Sequence, residues 1–426
     1  MKRFFTFLIA SIIIVSLAFG IIKNKNRYTL DLLRNDLELK INIKGLNNPK
    51  SFDINENGDL YLASEDTIKI IDSEGAIKAI IREESLNIYD VAYFKGNIYL
   101  STDNRIVKFS LIDNKFTTLI DNLPNTGLNK EINILVKDNN ILFEIGSNTN
   151  DGIVNNIGEK EEVSTGSWIL SGENFGEEKT GAFSPYSIST EKGEKIKGEN
   201  IGNAAIYELN LETLKTKLIS HGIRNINGWD LNSENKIIAV VNGVSDNTVR
   251  KIKNDKDYIY LIEEDIWYGW PDYLGGDPIT SPRFTDSEPH KFLLKDHIDK
   301  NPSGPLYQYN YVNSLKALAV DKEGRYLEKD TIIFADEKNK GIYALMKNGY
   351  SKEIIKLSED SNIEKITVNE KGIYILDSGE GALYEIIKSE NMDGFKLPYE
   401  IWAFIITLLL SITIIVLIKN KKIKRL

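Results

Sequence analysis

One short pattern recurs six times between residues 51 and 376, and it limits the possible folds more than any other feature of the chain. Each copy is an alternating strand, a polar turn with Gly or Asn, and a second apolar strand that often carries Tyr. The copies are Ser51–Leu62 (SFDINENGDLYL), Val91–Leu100 (VAYFKGNIYL) and Ile132–Ile145 (INILVKDNNILFEI), followed by Gly228–Val241 (GWDLNSENKIIAVV), Ala317–Ala335 (ALAVDKEGRYLEKDTIIFA) and Lys365–Leu376 (KITVNEKGIYIL). Alternation gives each strand one face to bury, and the turns close tight hairpins. Units of one type repeated about every 40 residues are the signature of propeller blades. Six copies predict an all-β, six-bladed propeller.

The spacing widens after the third and fourth copies. Blades three and four therefore carry long insertions, about 147–200 and 267–312, which project from the faces where propeller sites form. The last copy runs into Gly381–Ile387 and supplies only three strands for blade six. Residues 37–43 (LELKINI) alternate cleanly ahead of blade one, and pairing them into blade six would close the ring and remove two edges.

Two apolar stretches bracket the repeats. Residues 4–22 follow Lys2 and Arg3 and read as a signal peptide, cleaved after small residues such as Ala18 and Gly20, or as an uncleaved signal anchor. Ile401–Ile418 is free of charge and close to the length needed to cross a hydrocarbon core of about 30 Å. It is expected as a transmembrane helix within 397–418. The tail 419–426 carries Lys419, Lys421, Lys422, Lys424 and Arg425, which favour the cytoplasmic side. The propeller, 23–396, is then expected outside the membrane of a bacterial cell. The region between the apolar stretches holds all 62 acidic residues and all but seven of the 53 basic ones. Such an acidic surface repels nucleic acid, and basic runs interleaved with aromatics are missing. A glycan or an envelope protein suits it better as a partner.

Most local motifs have plain structural readings. Asp53-x-Asn55-x-Asn57-Gly58 begins like a calcium loop, but the twelfth position is Ser64 and not Glu, so it reads as a hairpin turn. The polar loop Asn148, Asn150, Asp151, Gly152 reads as a turn that could hold a cation with help from carbonyls. The chain has no cysteine, and its three histidines, His221, His290 and His297, form no metal-ligand spacing. Two segments stand out: Ser220–Trp229 (SHGIRNINGW), with an Arg-Asn pair at a strand entrance, and Trp267–Tyr273 (WYGWPDY), dense in rings that can pack an insertion or stack on a ligand.

Together these segments resemble the quinoprotein glucose/sorbosone dehydrogenase family. Gly222-Ile223-Arg224-Asn225 matches its Gly-hydrophobic-Arg-Asn entrance to blade four. Tyr268-Gly269-Trp270-Pro271 matches its Tyr-Gly-Trp-Pro, and Pro302-Ser303-Gly304 its later Pro-Ser-Gly. The resemblance spans about 45–390 and implies a propeller that holds pyrroloquinoline quinone (PQQ) and calcium over its axis. It implies ligand contacts from Arg224, Asn225, Tyr268 and Trp270, from Gly243 at the calcium-associated Gly-Pro position, here Gly243-Val244, and from Asp257, which with Tyr258 is what remains of the acidic motif before Tyr-Gly-Trp-Pro.

The departures concern the chemistry. The family's His, which takes the proton from the sugar hydroxyl, falls near Leu128 or Asn129, and the Asp that orients it falls on Ser147. The Arg pair that grips the cofactor's carboxylates falls on Asn362 and Glu364. Without a base, proton transfer loses a factor of about 10²–10⁴. The reading is a divergent member that keeps the propeller as a binding module. The alternative is a quinone-dependent sugar oxidoreductase with another base, for which Glu131, Asp151 and His221 are candidates.

Overall fold

The computed structural model describes Tyr28 and residues 30–389. They form the six-bladed propeller that the repeats predict, each blade a four-stranded antiparallel sheet. From the axis outward, blade one is Pro49–Ile54, Leu60–Ser64, Thr67–Ile71 and Ile77–Arg82; blade two is Ile88–Phe94, Asn97–Thr102, Ile106–Ser110 and Lys115–Ile120. Blade three is Ile134–Lys137, Asn140–Ile145, Ala205–Asn210 and Thr216–His221; blade four is Ile226–Leu231, Ile237–Val241, Tyr258–Ile262 and Tyr307–Gln308. Blade five is Leu315–Asp321, Thr331–Asp336, Gly341–Leu345 and Ser351–Lys356. Blade six takes Ile363–Val368, Ile373–Asp377 and Ala382–Lys388 from the chain's end and Leu37–Lys44 from its start. Just before that strand, Asp31–Leu32 pairs with the outer edge of blade five, opposite Lys356 and Ile355.

A core cluster fills every gap between blades, because strand alternation points apolar side chains at both neighbours. Phe52, Leu62, Tyr374 and Leu376 fill the seam between blades six and one, and Ile98, Leu100, Tyr61 and Ile68 the next gap. Leu30 and Leu37 are buried with Ile355 and Tyr384 between blades five and six. At about 1.5–3 kcal/mol per fully buried large aliphatic side chain, each seam contributes several kcal/mol, and the N-terminal strand contributes to the last.

Carboxylates on the two innermost strands stitch neighbouring blades together. Asp53 Oδ2 accepts the Tyr93 amide at 2.7 Å, and Asp90 Oδ2 that of Ile134 at 2.9 Å. Glu144 Oε1 accepts Ile226 N–H at 3.1 Å, and Asp230 Oδ2 accepts Val320 N–H at 2.9 Å. Each joins one blade to the next and satisfies an amide that a close-packed strand could not otherwise pair.

The stretch between Ile145 and Ala205 is the insertion of blade three, and that between Ile262 and Tyr307 the insertion of blade four. The second begins by laying Ile266–Trp267 parallel to the outer strand of blade three. The insertions share a core of Ile153, Trp168, Leu170, Trp267, Tyr273 and Leu293. Within it Arg250 and Asp272 form a fully buried ion pair at 3.1 Å. The loop at Asn55–Asp59 is a hairpin turn, closed by Asn55 N–H to Asp59 O at 3.0 Å. The apolar segments expected as membrane anchors, 4–22 and 401–418, lie outside the described residues. Among the described residues no helix is long and apolar enough to cross a membrane.

Candidate ligand site on the propeller axis

The inner strands surround a cavity of about 650 Å³ on the axis. Its size suits a small organic ligand. The residue just before each of the six repeat copies lines it: Lys50, Asp90, Glu131, Asn227, Lys316 and Glu364, one from each blade. Every one is polar, because inner strands expose alternate side chains to the axis and their entrances stand at the mouth. Lys50, Asp90, Asn227 and Lys316 were not among the residues singled out from sequence. Their shared position in the repeat is the signal that identifies them.

Part of this ring is already paired. Lys365 Nζ reaches Asp90 Oδ1 at 2.7 Å and Ser51 Oγ at 3.2 Å, joining blades six, one and two. Lys316 Nζ donates to Asn362 Oδ1 and pairs with Glu337, both at 2.9 Å. Glu364 Oε1 accepts Asn362 Nδ2 and Ser378 Oγ, each at 2.6 Å. Burial is the largest influence on the Glu364 carboxyl and raises its pKa; Lys316 and Lys50 act to lower it and Glu131 to raise it.

The positions that resemblance gives to a base and its orienter do meet. Asn129 Nδ2 donates to Ser147 O and to Ser147 Oγ, both at 3.0 Å, and Asn129 lines the cavity. Gly146 permits the approach: a Cβ there would lie 2.6 Å from Asn129 Cβ and from Asn225 Oδ1. The pair has the geometry of a catalytic couple but not its acid–base capacity, since neither an amide nor a serine hydroxyl accepts a proton near neutral pH.

Of the expected ligand contacts, Asn225 lines the cavity, with Nδ2 donating to Asn227 Oδ1 at 2.8 Å and Asn242 Oδ1 at 3.1 Å. Arg224 is buried outside it. Its Nε donates to Asn150 O and its Nη2 to Asn150 Oδ1, both at 3.0 Å, so the blade-three insertion fills the guanidinium fork. Tyr268 and Trp270 are core residues. Tyr268 Oη donates to Leu261 O at 2.9 Å, and Trp270 packs on Val244, Leu274 and Phe284. Asp257 is fully buried and accepts four backbone amides, those of Gly243, Asn313, Ser314 and Leu315, at 2.7–3.0 Å. Gly243 serves close packing, for a Cβ there would meet Lys256 O at 2.2 Å.

Glu131 is the one candidate base that reaches the cavity. His221 lies in the wall of blade three against Trp168, with Thr165 Oγ1 at 3.2 Å from Nδ1, and burial pushes its pKa down to about 4. Asp151 is buried under Thr248 Oγ1 at 2.6 Å, and desolvation raises its pKa.

The ring does not fit a carboxylated quinone. Glu364 stands where the resemblance implies a cation, Lys316 and Lys365 are already paired with carboxylates, and Lys50, without a partner among the described residues, faces both Glu364 and Glu131 across the ring. Nor do the residues fit calcium: Asp257 has both oxygens on amides, and among the described residues no group of three or more Asp, Glu, His or Cys is placed to hold a metal.

No protein-family profile and no curated protein matches this sequence. Solved structures do. A calcium structure of a carbohydrate-active enzyme of family AA12 from Trichoderma reesei is 15% identical, with a TM-score of 0.57, covering 84% of this chain and 97% of that one. The holo PQQ domain of pyranose dehydrogenase from Coprinopsis cinerea is 12% identical, with a TM-score of 0.57, over 85% and 98%. PQQ-bound aldose sugar dehydrogenase from Streptomyces coelicolor is 13% identical, with a TM-score of 0.51, over 84% and 98%. The chain thus has the six-bladed propeller fold of the PQQ-dependent sugar dehydrogenases. At these identities the likeness is one of fold.

Proposed function

We propose that this protein is a membrane-anchored, extracytoplasmic ligand-binding propeller whose axial cavity receives a small polar molecule. The observation that carries the reading is the Asn129–Ser147 contact: the couple is in place at the cavity, without a group that can take a proton. The anchoring rests on the apolar segments 4–22 and 401–418 and the basic tail. A second reading, a quinone-dependent sugar oxidoreductase, rests on Glu131 at the cavity mouth.

The test is a thermal-shift panel on the full chain with glucose, trialanine and PQQ, repeated on Thr367→Trp. Thr367 lines the cavity and makes no side-chain hydrogen bond, so Trp there fills the space. A shift with glucose or trialanine that disappears in Thr367→Trp supports the cavity as the site, and PQQ is expected to give none. A shift that survives the substitution, or no shift at all, contradicts it. Glucose oxidation with PQQ that is lost in Glu131→Gln establishes the second reading instead.

A further inference from the structure

The charges left unpaired on the ring specify a ligand class, an inference that rests on the ligand-binding reading above. In blade order the ring reads Lys50, Asp90, Glu131, Asn227, Lys316, Glu364. Asp90 is neutralised by Lys365, and Lys316 is held by Glu337. Glu364 has both its hydrogen bonds on Oε1, and Oε2 takes none from the described residues. The side chains of Lys50 and Glu131 line the cavity and make no hydrogen bond or ion pair with any described residue. On the ring one cation, Lys50 in blade one, therefore has no hydrogen bond or ion pair among the described residues and acts only at longer range on Glu364 of blade six. Lys130, beside Glu131 in the lining, is a second cation without a side-chain partner among them. One carboxylate, Glu131, stands free in blade three, on the opposite side of the axis from Glu364.

A simple anion entering the cavity would gain Lys50 and Lys130 but approach two carboxylates. A simple cation would gain the carboxylates and leave Lys50 uncompensated. Only a molecule carrying both charges meets every free group. On the wall of blades three and four, Asn129 and Asn225 line the cavity with side-chain carbonyls that take no hydrogen bond from the described residues, while the side-chain amides of Asn129, Asn133, Asn225 and Asn227 are already donated within the protein. Such carbonyls suit the N–H of a peptide bond, which needs an acceptor.

We propose that the axial cavity binds a small zwitterion of the amino-acid or short-peptide class, its ammonium between Glu131 and Glu364 and its carboxylate on Lys50.

The test is isothermal titration of the full chain with trialanine, N-acetyl-trialanine and trialanine amide, with glucose and PQQ as comparators. Each charged end makes charge-assisted bonds worth enough that removing one weakens binding about tenfold or more. Trialanine is expected to bind, with acetylation and amidation each weakening it by that factor. Glu131→Gln reduces the penalty for acetylation, since Glu364 remains, and Lys50→Met reduces the penalty for amidation. Both residues are unpaired at the cavity mouth, so neither substitution disturbs the fold, and unchanged melting temperatures check this. Absence of binding by trialanine overturns the proposal. If glucose or PQQ then binds in a manner blocked by Thr367→Trp, the class is wrong while the cavity reading stands. If none of the probes binds, both fail. Equal binding of all three peptides also overturns the proposal, because the charged ends then have no role.

Discussion

Glu144 links the interior of the propeller to pH in a way that one substitution exposes. It sits on the second strand of blade three, fully buried, and Oε1 accepts the Ile226 amide of blade four while Oε2 has no partner. Burial is the main cause that pushes its pKa from an ordinary 4.5 up to about 8. A carboxyl raised in the folded state contributes stability that is complete below its unfolded pKa. That contribution is lost as pH rises from 4.5 toward about 8, because the unfolded chain ionises freely while the folded one must hold the proton or bury a charge. Within that window the loss is about 1.4 kcal/mol per pH unit. From pH 5.5 to 7.5 Glu144 should therefore remove roughly 2.5 kcal/mol. The roughly 360 described residues imply an unfolding entropy of about 0.75 kcal/mol/K, so the fall in melting temperature is about 3 °C. Glu144→Gln keeps an oxygen for Ile226 N–H and replaces the titrating group with a neutral one. Calorimetry at pH 5.5 and 7.5 should show the variant losing about 3 °C less than the wild type across the interval. Glu162, raised by burial to about 7, contributes with the same sign in both proteins and cancels from the comparison. If the variant and the wild type fall in parallel, Glu144 does not titrate as argued.

Two further substitutions test the fold around the site. Asp257→Ala strands four buried amides, each costing about 1–3 kcal/mol when unpaired, so the melting temperature should drop by at least about 5 °C. A ligand contact with no structural role would leave it unchanged. Leu30→Ala, in the N-terminal stretch buried between blades five and six, should cost about 2–5 kcal/mol, read as a fall of roughly 3–6 °C. A neutral result would mean that this stretch is not part of the closing seam.

The blades were legible in the sequence because a hairpin with one buried face has a period of two and turns of defined chemistry, and six copies average out local noise. Ile134–Lys137 and Asn140–Ile145, for instance, fall inside the third copy. The insertions were legible only as gaps. Their short pairings, such as Trp168–Ile169 with Lys195–Ile196, carry no period, and tertiary packing decides them. The site was half legible. Motif positions brought Asn129, Ser147, Asn225, Asn362 and Glu364 to the cavity region. Arg224 carried the same motif and yet turns to Asn150, because a loop 74 residues away in sequence folds over it. Lys365 meeting Asp90 spans 275 residues, and a repeat period places both near the axis without fixing which side chains touch.

The most direct test of the central claim is the thermal stability of the full chain with PQQ, with and without calcium. A cofactor present at about 100 times its dissociation constant adds roughly 2.7 kcal/mol, or about 3–4 °C here. The account predicts no shift, because Glu364 and Glu131 face the mouth where a carboxylated quinone would need several cations, Lys316 and Lys365 are already paired, and Lys50 alone does not offset the two carboxylates. A calcium-dependent rise of that size would contradict it and return the axial cavity to redox chemistry.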